Sequence, residues 1–329
     1  MAKIFRPSSG PKLKFGRQLY NSVVRATMAY RCSIWYRTTG RTALQGSLRN
    51  KLTKAQNRCL RVLAGAYRPT SIEELQKEVV TESALLYLER RATATKAKFV
   101  DTPNYHGLCR ILNDICDRAR VVCTVRIHSS ERQRLQRVVD PSELLREDWG
   151  LIKAACDWWG LGEDRHDFRK RNVAIREYTR ALATEASEDG WRAYAAEKLQ
   201  QGKSRTSLYG DWGMHNLRTH DQLSRPQSII LIQMKTEQIA LKDFMHRCKV
   251  SFTPRRAGLR LIDGQLAETP HCECGAPQQT VRHCLLECPR LELPRRDLLA
   301  KTGHSDMRLW LTRDGSSTQP LSEPHVPPC

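Results

Sequence analysis

No aspartate or glutamate occurs before Glu73, although the same first 72 residues hold fifteen lysines and arginines. That absence excludes from this stretch the carboxylates that acid–base chemistry or a carboxylate-held metal ion needs. Long apolar runs are missing as well. No segment approaches the ~18 to 20 apolar residues that span a bilayer, and the opening MAKIFRPSSGPKLKFGRQL lacks the apolar stretch of a secretory leader. No membrane partner is expected, and a nuclear or cytoplasmic location is. Aromatic residues make up 7% and hydrophobic residues 40% of 329 positions, with a mean hydropathy of -0.57, so small cores are expected.

What is present is positive charge, unevenly spread. The net charge is +20, and fifteen of those charges lie before residue 73. Each phosphate neutralised by such a surface releases counterions, and the gain sums along the surface, so RNA and/or DNA is the expected partner. The segment is also patterned. Leu44, Leu48, Leu52, Ala55, Cys59 and Val62 recur every three or four residues and predict one apolar stripe on a helix. Arg49, Lys51, Lys54, Arg58 and Arg61 fall largely on its other faces, and Arg68 lies in the turn GAYRPT that follows. These six are the candidate nucleic-acid-binding residues; the competing reading of the same face is plain solvated surface.

Leu19, Val23, Ala26 and Tyr30 have the same spacing and predict a second helix, with YRTTGRT as a loop between the two. Thr70 or Ser71, each three residues ahead of a glutamate, has the pattern of a capping box opening a helix with Ile72, Leu75 and Val79 on its apolar face. SALLYLERRATATKAKF reads as one more helix. Periodicity then weakens. ARVVCTVRIH suggests a strand, SELLREDWGLIKAACDWWG and AIREYTRALATEASEDGWRAYAAEKL suggest helices, and QQGKSRTSLYG suggests a linker. Trp149, Trp158, Trp159, Trp191 and Trp212 are expected in helix packing, with base stacking as the competing role. His166 with Asp164 and Asp167 reads as a solvated charged loop, set against an enzymatic site in the middle segment.

Four of twelve cysteines crowd into HCECGAPQQTVRHCLLECP, residues 271 to 289. Cys272, Cys274, His283 and Cys288 form C-x-C-x8-H-x4-C, which suits tetrahedral zinc with ligands at ~2.0 to 2.3 Å. Three thiolates and an imidazole leave no open position for substrate, so the Zn2+ is expected to be structural, replacing a core that the segment is too polar to build. Cys284 is expected to point elsewhere and His271 to lie outside the ligand set. Free side chains and a disulfide are the alternatives. Thr280 is expected to cap a short helix bearing His283, and Gly275 to allow the tight turn after Cys274. Ahead of this motif, RPQSIILIQMKTEQIALKDFMHRCKV reads as one helix with Ile230, Met234, Leu241 and Met245 on a face and Ile229 and Phe244 alongside.

RQLYNSVVRATMAYRCSIWY, KAQNRCLRVLAGAYRPTSIEELQKE and ALLYLERR, in that order, resemble the segment after the palm in reverse transcriptases of non-LTR (LINE-type) retrotransposons, fungal ones especially. SIILIQMKTEQIALKDFMHRCKV followed by CECGAPQQTVRHCLLECPR is similar to the terminal region of the same proteins. The likeness covers residues 15 to 100 and 226 to 300. It implies a helical thumb that grips template and primer, and a Cys-Cys-His-Cys motif, here Cys272, Cys274, His283 and Cys288, that assists nucleic-acid handling within a retrotransposon ribonucleoprotein. Polymerisation in that family needs paired palm aspartates, and no Asp-Asp pair occurs in this sequence. The chain is therefore expected to correspond to the carboxyl-terminal portion of such an RNA-directed DNA polymerase and to be inactive by itself. An RNase H domain is not expected either, since TRDGSS alone resembles its opening strand. The other expectation is a zinc-containing interaction subunit of a nucleic-acid-processing complex.

The expected fold class is mainly α: a basic, thumb-like helical bundle over 1–100, a poorly defined helical connector over 101–222, a helix with a zinc-knuckle-like module over 223–305, and a disordered tail over 306–329.

Overall fold

The structure, a computed structural model, describes residues 10–36, 46–99, 107, 141–162, 167–203, 205–248 and 269–312, with backbone alone at 34, 35, 99 and 141–149. The fold is mainly α, and the described residues contain no strand. The helices are α1 (Leu13–Leu19), α2 (Ala26–Met28), α3 (Cys32–Trp35), α4 (Gly46–Ala64), α5 (Ile72–Val79), α6 (Ala84–Phe99), α7 (Pro141–Trp159), α8 (Phe168–Gln200), α9 (Met214–Arg218), α10 (Arg225–Lys235), α11 (Lys242–Cys248), α12 (Glu292–Thr302) and α13 (Met307–Thr312). No described helix is long and apolar enough to cross a membrane.

Contacts group the chain differently from its order in sequence. One compact unit comprises Met1–Tyr20, Asn57–Thr81 and Trp191–Cys329; the other comprises Asn21–Gln56 and Glu82–Gly190. The basic first hundred residues thus contribute to both, because α5 finds its partners more than a hundred residues downstream.

In the first unit the core is partly ionic. Leu75 and Val79 of α5 are fully buried, and so are Glu74, Lys77 and Glu78 of the same helix. A buried charge is tolerated only with partners, and each has them. Glu78 accepts from Lys235 Nζ at 2.8 Å, and its Oε2 lies 3.7 Å from His220 Nε2. Glu74 accepts from Arg205 at 3.0 Å, Tyr194 at 3.2 Å and Ser207 at 2.5 Å. Lys77 donates to the carbonyls of Ser207 and Tyr209 and lies 4.6 Å over the Trp191 ring. The expected linker QQGKSRTSLYG therefore includes a core element, since Thr206, Ser207 and Leu208 are buried against these charges.

α10 also fixes the end of α4. Arg225 donates to the carbonyls of Leu63 at 3.1 Å and Val62 at 2.8 Å, and Gln233 donates to Gly65 O at 2.7 Å, satisfying acceptors that a helix C-terminus leaves open. Gly65 adopts φ +59°, and a Cβ there would meet Ile229 side-chain atoms at 2.5 Å, so only glycine suits this close approach.

In the second unit, Ala29, Cys32, Tyr36, Leu88 and Ala92 form one core cluster. Gln56 of α4, fully buried, ties that helix to the start of α6 by donating to Glu82 O and accepting from Ala84 N. A second cluster joins α6, α7 and α8 through Ala97, Ile152, Ala155, Cys156, Leu161, Ala174 and Ile175.

Several expectations need correction. Of the stripe Leu19, Val23, Ala26 and Tyr30, the first three are helical and Tyr30 lies in the turn after α2; Leu19 is half-buried, and Val23 and Tyr30 face solvent at 53% and 68% exposure, while Leu13, Gly16 and Tyr20 are buried instead. A π-helical stretch over Tyr20–Arg25 interrupts the 3.6-residue period on which that stripe was laid. The inward face of α4 is rotated as well: Gln56, Leu60, Leu63 and Ala64 are buried, while Leu48 and Ala55 are exposed. α5 starts as expected after Ser71, yet Ser71 donates to Glu73 instead of capping, and Glu74 turns into the core.

The expected single helix over RPQSIILIQMKTEQIALKDFMHRCKV breaks into α10 and α11, with Glu237 at φ +54° between them. Ile229 and Phe244, expected alongside that face, are its buried hydrophobic residues together with Ile232, and Ile230 is exposed. Trp158 and Trp159, expected in helix packing, are 52% and 45% exposed. Residues 307 to 312 of the expected tail form α13, anchored by Trp310 Nε1 donating to Thr302 and by buried Leu311. Asp167 accepts from the amides of Arg169 and Lys170 as a cap on α8. The expected strand, the YRTTGRT loop after Tyr36, His166, Asp164, the part of TRDGSS after Thr312 and the Trp149 side chain lie outside the described residues.

Candidate metal centre and basic helix face

The cysteine-rich segment builds its site from two short elements. After Cys272 the chain turns back: Gly275 N donates to Cys272 O at 3.0 Å and Cys272 N to Ala276 O at 2.9 Å. Gly275, at φ +91°, supplies the left-handed backbone that the turn needs. On the second element Thr280 accepts from the His283 amide at 3.1 Å, the expected cap, and a π-helical turn over His283–Glu287 carries the chain to Cys288. Pro289 then opens a short 3-10 turn.

One ligand atom from each of Cys272, Cys274, His283 and Cys288 lies within 4.8 Å of all the others. Cys274 Sγ is 3.2 Å from His283 Nε2, and Cys272 Sγ is 3.9 Å from Cys288 Sγ. A disulfide needs sulfurs ~2.05 Å apart, and the four cysteines of this segment are free, which removes that alternative. Bonds of ~2.3 Å to sulfur and ~2.0 Å to nitrogen at tetrahedral angles place ligand atoms roughly 3.5 to 3.8 Å from one another, so the four side chains fit a divalent ion with little movement. The Cys272 thiol is pushed down to about 7, first by the Cys274 amide and then by the surrounding side chains. That favours a thiolate at Cys272, while the Cys274 thiol of the same group is raised.

Neighbouring groups hold the ligands in place. His283 Nε2 faces the sulfurs while Nδ1 lies 3.7 Å from Glu287 Oε2, and Arg282 donates to Glu287 at 3.1 Å, an arrangement that fixes the ring's orientation. From α12, Arg295 donates to Leu285 O at 2.9 Å and Cys288 O at 2.6 Å. Arg290 binds Glu273 across the turn. Cys284 stands outside the group, its thiol pushed up to about 11 chiefly by burial, and His271 is exposed. Besides Cys272, His283 and Cys288, Val281 is the one buried residue of the segment 271 to 289, so there is little apolar core to hold it.

On α4, Lys51, Lys54, Arg58 and Arg61 are spaced 3-4-3 and lie along one side of the helix. Lys51, Lys54 and Arg58 are exposed, and among the described residues none of them makes an ion pair. Arg61 is half-buried and donates to Thr70 O at 3.4 Å; burial, then the nearby Arg68 guanidinium, lowers its pKa. Two guanidinium groups held near each other favour an anion beside them. Arg68 is exposed. Arg49 falls on the opposite side of α4 from the other four and interacts electrostatically with Glu89 of α6, so it does not belong to that row.

No protein-family model matches the sequence, and no curated protein or solved structure matches it.

Proposed function

We propose that this chain binds RNA or DNA through the basic side of α4 and carries a structural zinc ion on Cys272, Cys274, His283 and Cys288, as a counterpart of the thumb-to-zinc portion of a non-LTR retrotransposon reverse transcriptase. One observation carries the nucleic-acid part: Lys51, Lys54 and Arg58 form a row of exposed cations on a helix that contains no acidic residue. Such a row loses its mutual repulsion when phosphates bind. With no Asp-Asp pair in the sequence, polymerisation is not assigned to this polypeptide.

The second reading, an interaction subunit that docks a protein through the zinc module, is favoured by α12. That helix has no buried residue, and Leu293 is 73% exposed beside Leu299 at 42%.

A salt series separates the two. Affinity for a single-stranded or duplex oligonucleotide is expected to fall steeply as salt rises, by about 0.7 to 0.9 logarithmic units per logarithmic unit of salt for each phosphate held. Replacing Lys51, Lys54 and Arg58 with glutamine is expected to lower that slope by roughly 2 to 3. An unchanged slope in the triple variant contradicts the α4 assignment.

A further inference from the structure

The turn that follows α4 leaves hydrogen-bond donors open in one corner of the first unit. Ala66 N donates to Arg61 O at 3.0 Å and Thr70 N to Tyr67 O at 3.1 Å, so the chain after Gly65 folds back on the last turn of the helix, with Arg61 Nη2 3.4 Å from Thr70 O. The Arg61 Nε is buried there without a partner, and so is the hydroxyl of Thr70, a residue 2% exposed. Buried polar atoms are rarely left open, and two of them joined by one turn mark a place where a ligand completes the hydrogen bonding. Arg68, in the same turn, is exposed and makes no hydrogen bond or ion pair among the described residues.

The charge of this corner has no counterion in the chain. Among the described residues neither Arg61 nor Arg68 pairs with a carboxylate, and after burial the group that lowers the Arg61 pKa is the Arg68 guanidinium. Glu73, the nearest acid in sequence, accepts from Ser71, and Glu74 is held by Arg205, Tyr194 and Ser207. Carbonyls at the end of α4, where the helix dipole would repel an anion, are taken up by Arg225 and Gln233. Two like charges held together with no acid between them are relieved by a bound anion.

The donor set selects the anion. A phosphate monoester offers three strong acceptor oxygens and a charge of roughly −1.5 to −2 near neutral pH, and a backbone phosphodiester has less of both. Guanidinium forks match phosphate oxygens in pairs, and a hydroxyl adds a further donor. We infer that Arg61, Arg68 and Thr70 form a binding site for a phosphate monoester at the turn after α4, the guanidinium groups on its charged oxygens and the Thr70 hydroxyl donating to it. A free phosphate and the phosphorylated end of a nucleic acid carry the same group. The site stands on the open donors of its own turn and not on the row of Lys51, Lys54 and Arg58; only the nucleic-acid source rests on the function proposed above.

The test is arginine modification by phenylglyoxal on the full chain at constant ionic strength, read by mass spectrometry. Inorganic phosphate is expected to protect Arg61 and Arg68 with a midpoint of about 1 mM and to leave exposed Arg169 reactive. Dimethyl phosphate, a diester, is expected to need roughly tenfold more. Thr70→Val removes a hydroxyl that has no partner in the chain and so costs the fold no hydrogen bond. It is expected to raise the midpoint at Arg68 about threefold, and Arg61→Gln to raise it more than about tenfold. Fluorescence of buried Trp191 verifies that each variant is folded. Thymidine decamers with and without a terminal phosphate assign the source: a lower midpoint for the phosphorylated decamer names a nucleic-acid end, and equal midpoints name the free ion or a small phosphomonoester. Replacing Lys51, Lys54 and Arg58 with glutamine is expected to weaken decamer binding and leave the phosphate midpoint unchanged, which separates this site from the α4 row. Protection no greater at Arg68 than at Arg169, equal midpoints for phosphate and its dimethyl ester, or an unchanged midpoint in Thr70→Val would each overturn the proposal.

Discussion

Replacing Cys288 with serine is expected to weaken zinc binding more than a hundredfold and to open the segment from about residue 271 to 291, while the far-UV signal of the long helices is kept. Changes behind the ligands of a zinc site already cost about 10- to 100-fold in affinity, so loss of a ligand costs more than ~100-fold. Structural zinc contributes roughly 10 to 16 kcal/mol to folding small modules of this kind, and this one has Val281 as its buried apolar residue apart from the cysteines. Cys284→Ser is the control, since Cys284 lies outside the four-membered group. Metal content by mass spectrometry and trypsin cleavage after Arg282 and Arg290 report the outcome. One zinc per chain in the native protein and in the Cys284 variant, with loss in the Cys288 variant, is the expected pattern. Equal metal content in all three proteins would refute the ligand assignment.

Lys235→Met is expected to destabilise the first unit by about 3 to 5 kcal/mol, because it leaves a buried carboxylate without its cation. Glu78 is 1% exposed and its bond to Lys235 Nζ is 2.8 Å. Adding Glu78→Gln to Lys235→Met is expected to restore a large part of the loss, as the uncompensated charge is then gone. Urea unfolding followed by fluorescence of buried Trp191 measures both. Additive losses in the double variant would show that the two side chains do not act as a pair.

The same cluster sets the response to pH. Burial alone would push the Glu78 carboxyl up, but Lys235, His220 and Lys77 outweigh it and hold it down at about 2, below the ordinary 4.5. The unfolded chain then binds more protons, so the Glu78 contribution is complete above pH 4.5 and is lost as pH falls towards 2. Burial lowers His220 below its ordinary 6.5 as well, so stability begins to decline once pH drops under that value. Lys77 is lowered to about 8 from 10.5, again chiefly by burial; between those values stability rises with pH. The urea midpoint is expected to climb from pH 3 to pH 7 and again from 8 to 10, with the acid limb flattened in Glu78→Gln.

Most helices and the gathering of the four side chains that could hold a metal ion were legible in the sequence, and for different reasons. Ligand spacing survives without knowledge of the fold, because Cys272, Cys274, His283 and Cys288 lie within nineteen residues and are closed by a local turn and a local cap. Helix existence was equally local. Which side of each helix faces inward was not, because it depends on partners far away in sequence. The π-helical stretch at Tyr20–Arg25 shifts the phase of the first helical segment, and no residue type there announces it. Glu74, Lys77 and Glu78 looked like the polar side of an amphipathic helix, yet residues 205 to 235 bury them all. Nor could spacing alone expose Trp158 and Trp159, since tryptophans at a helix end normally read as packing. Arg49 lies off the expected apolar stripe as Lys51 and its neighbours do, but on the opposite side of α4, facing Glu89.

The central claim is that nucleic acid lies on the basic side of α4, and acetylation footprinting of surface lysines tests it most directly. Lys51 and Lys54 are exposed, as are Lys170, Lys203 and Lys301 elsewhere on the chain. On adding an oligonucleotide, Lys51 and Lys54 are predicted to lose most of their reactivity towards the reagent while Lys170, Lys203 and Lys301 keep theirs. Full reactivity of Lys51 and Lys54 at saturating oligonucleotide would contradict the claim.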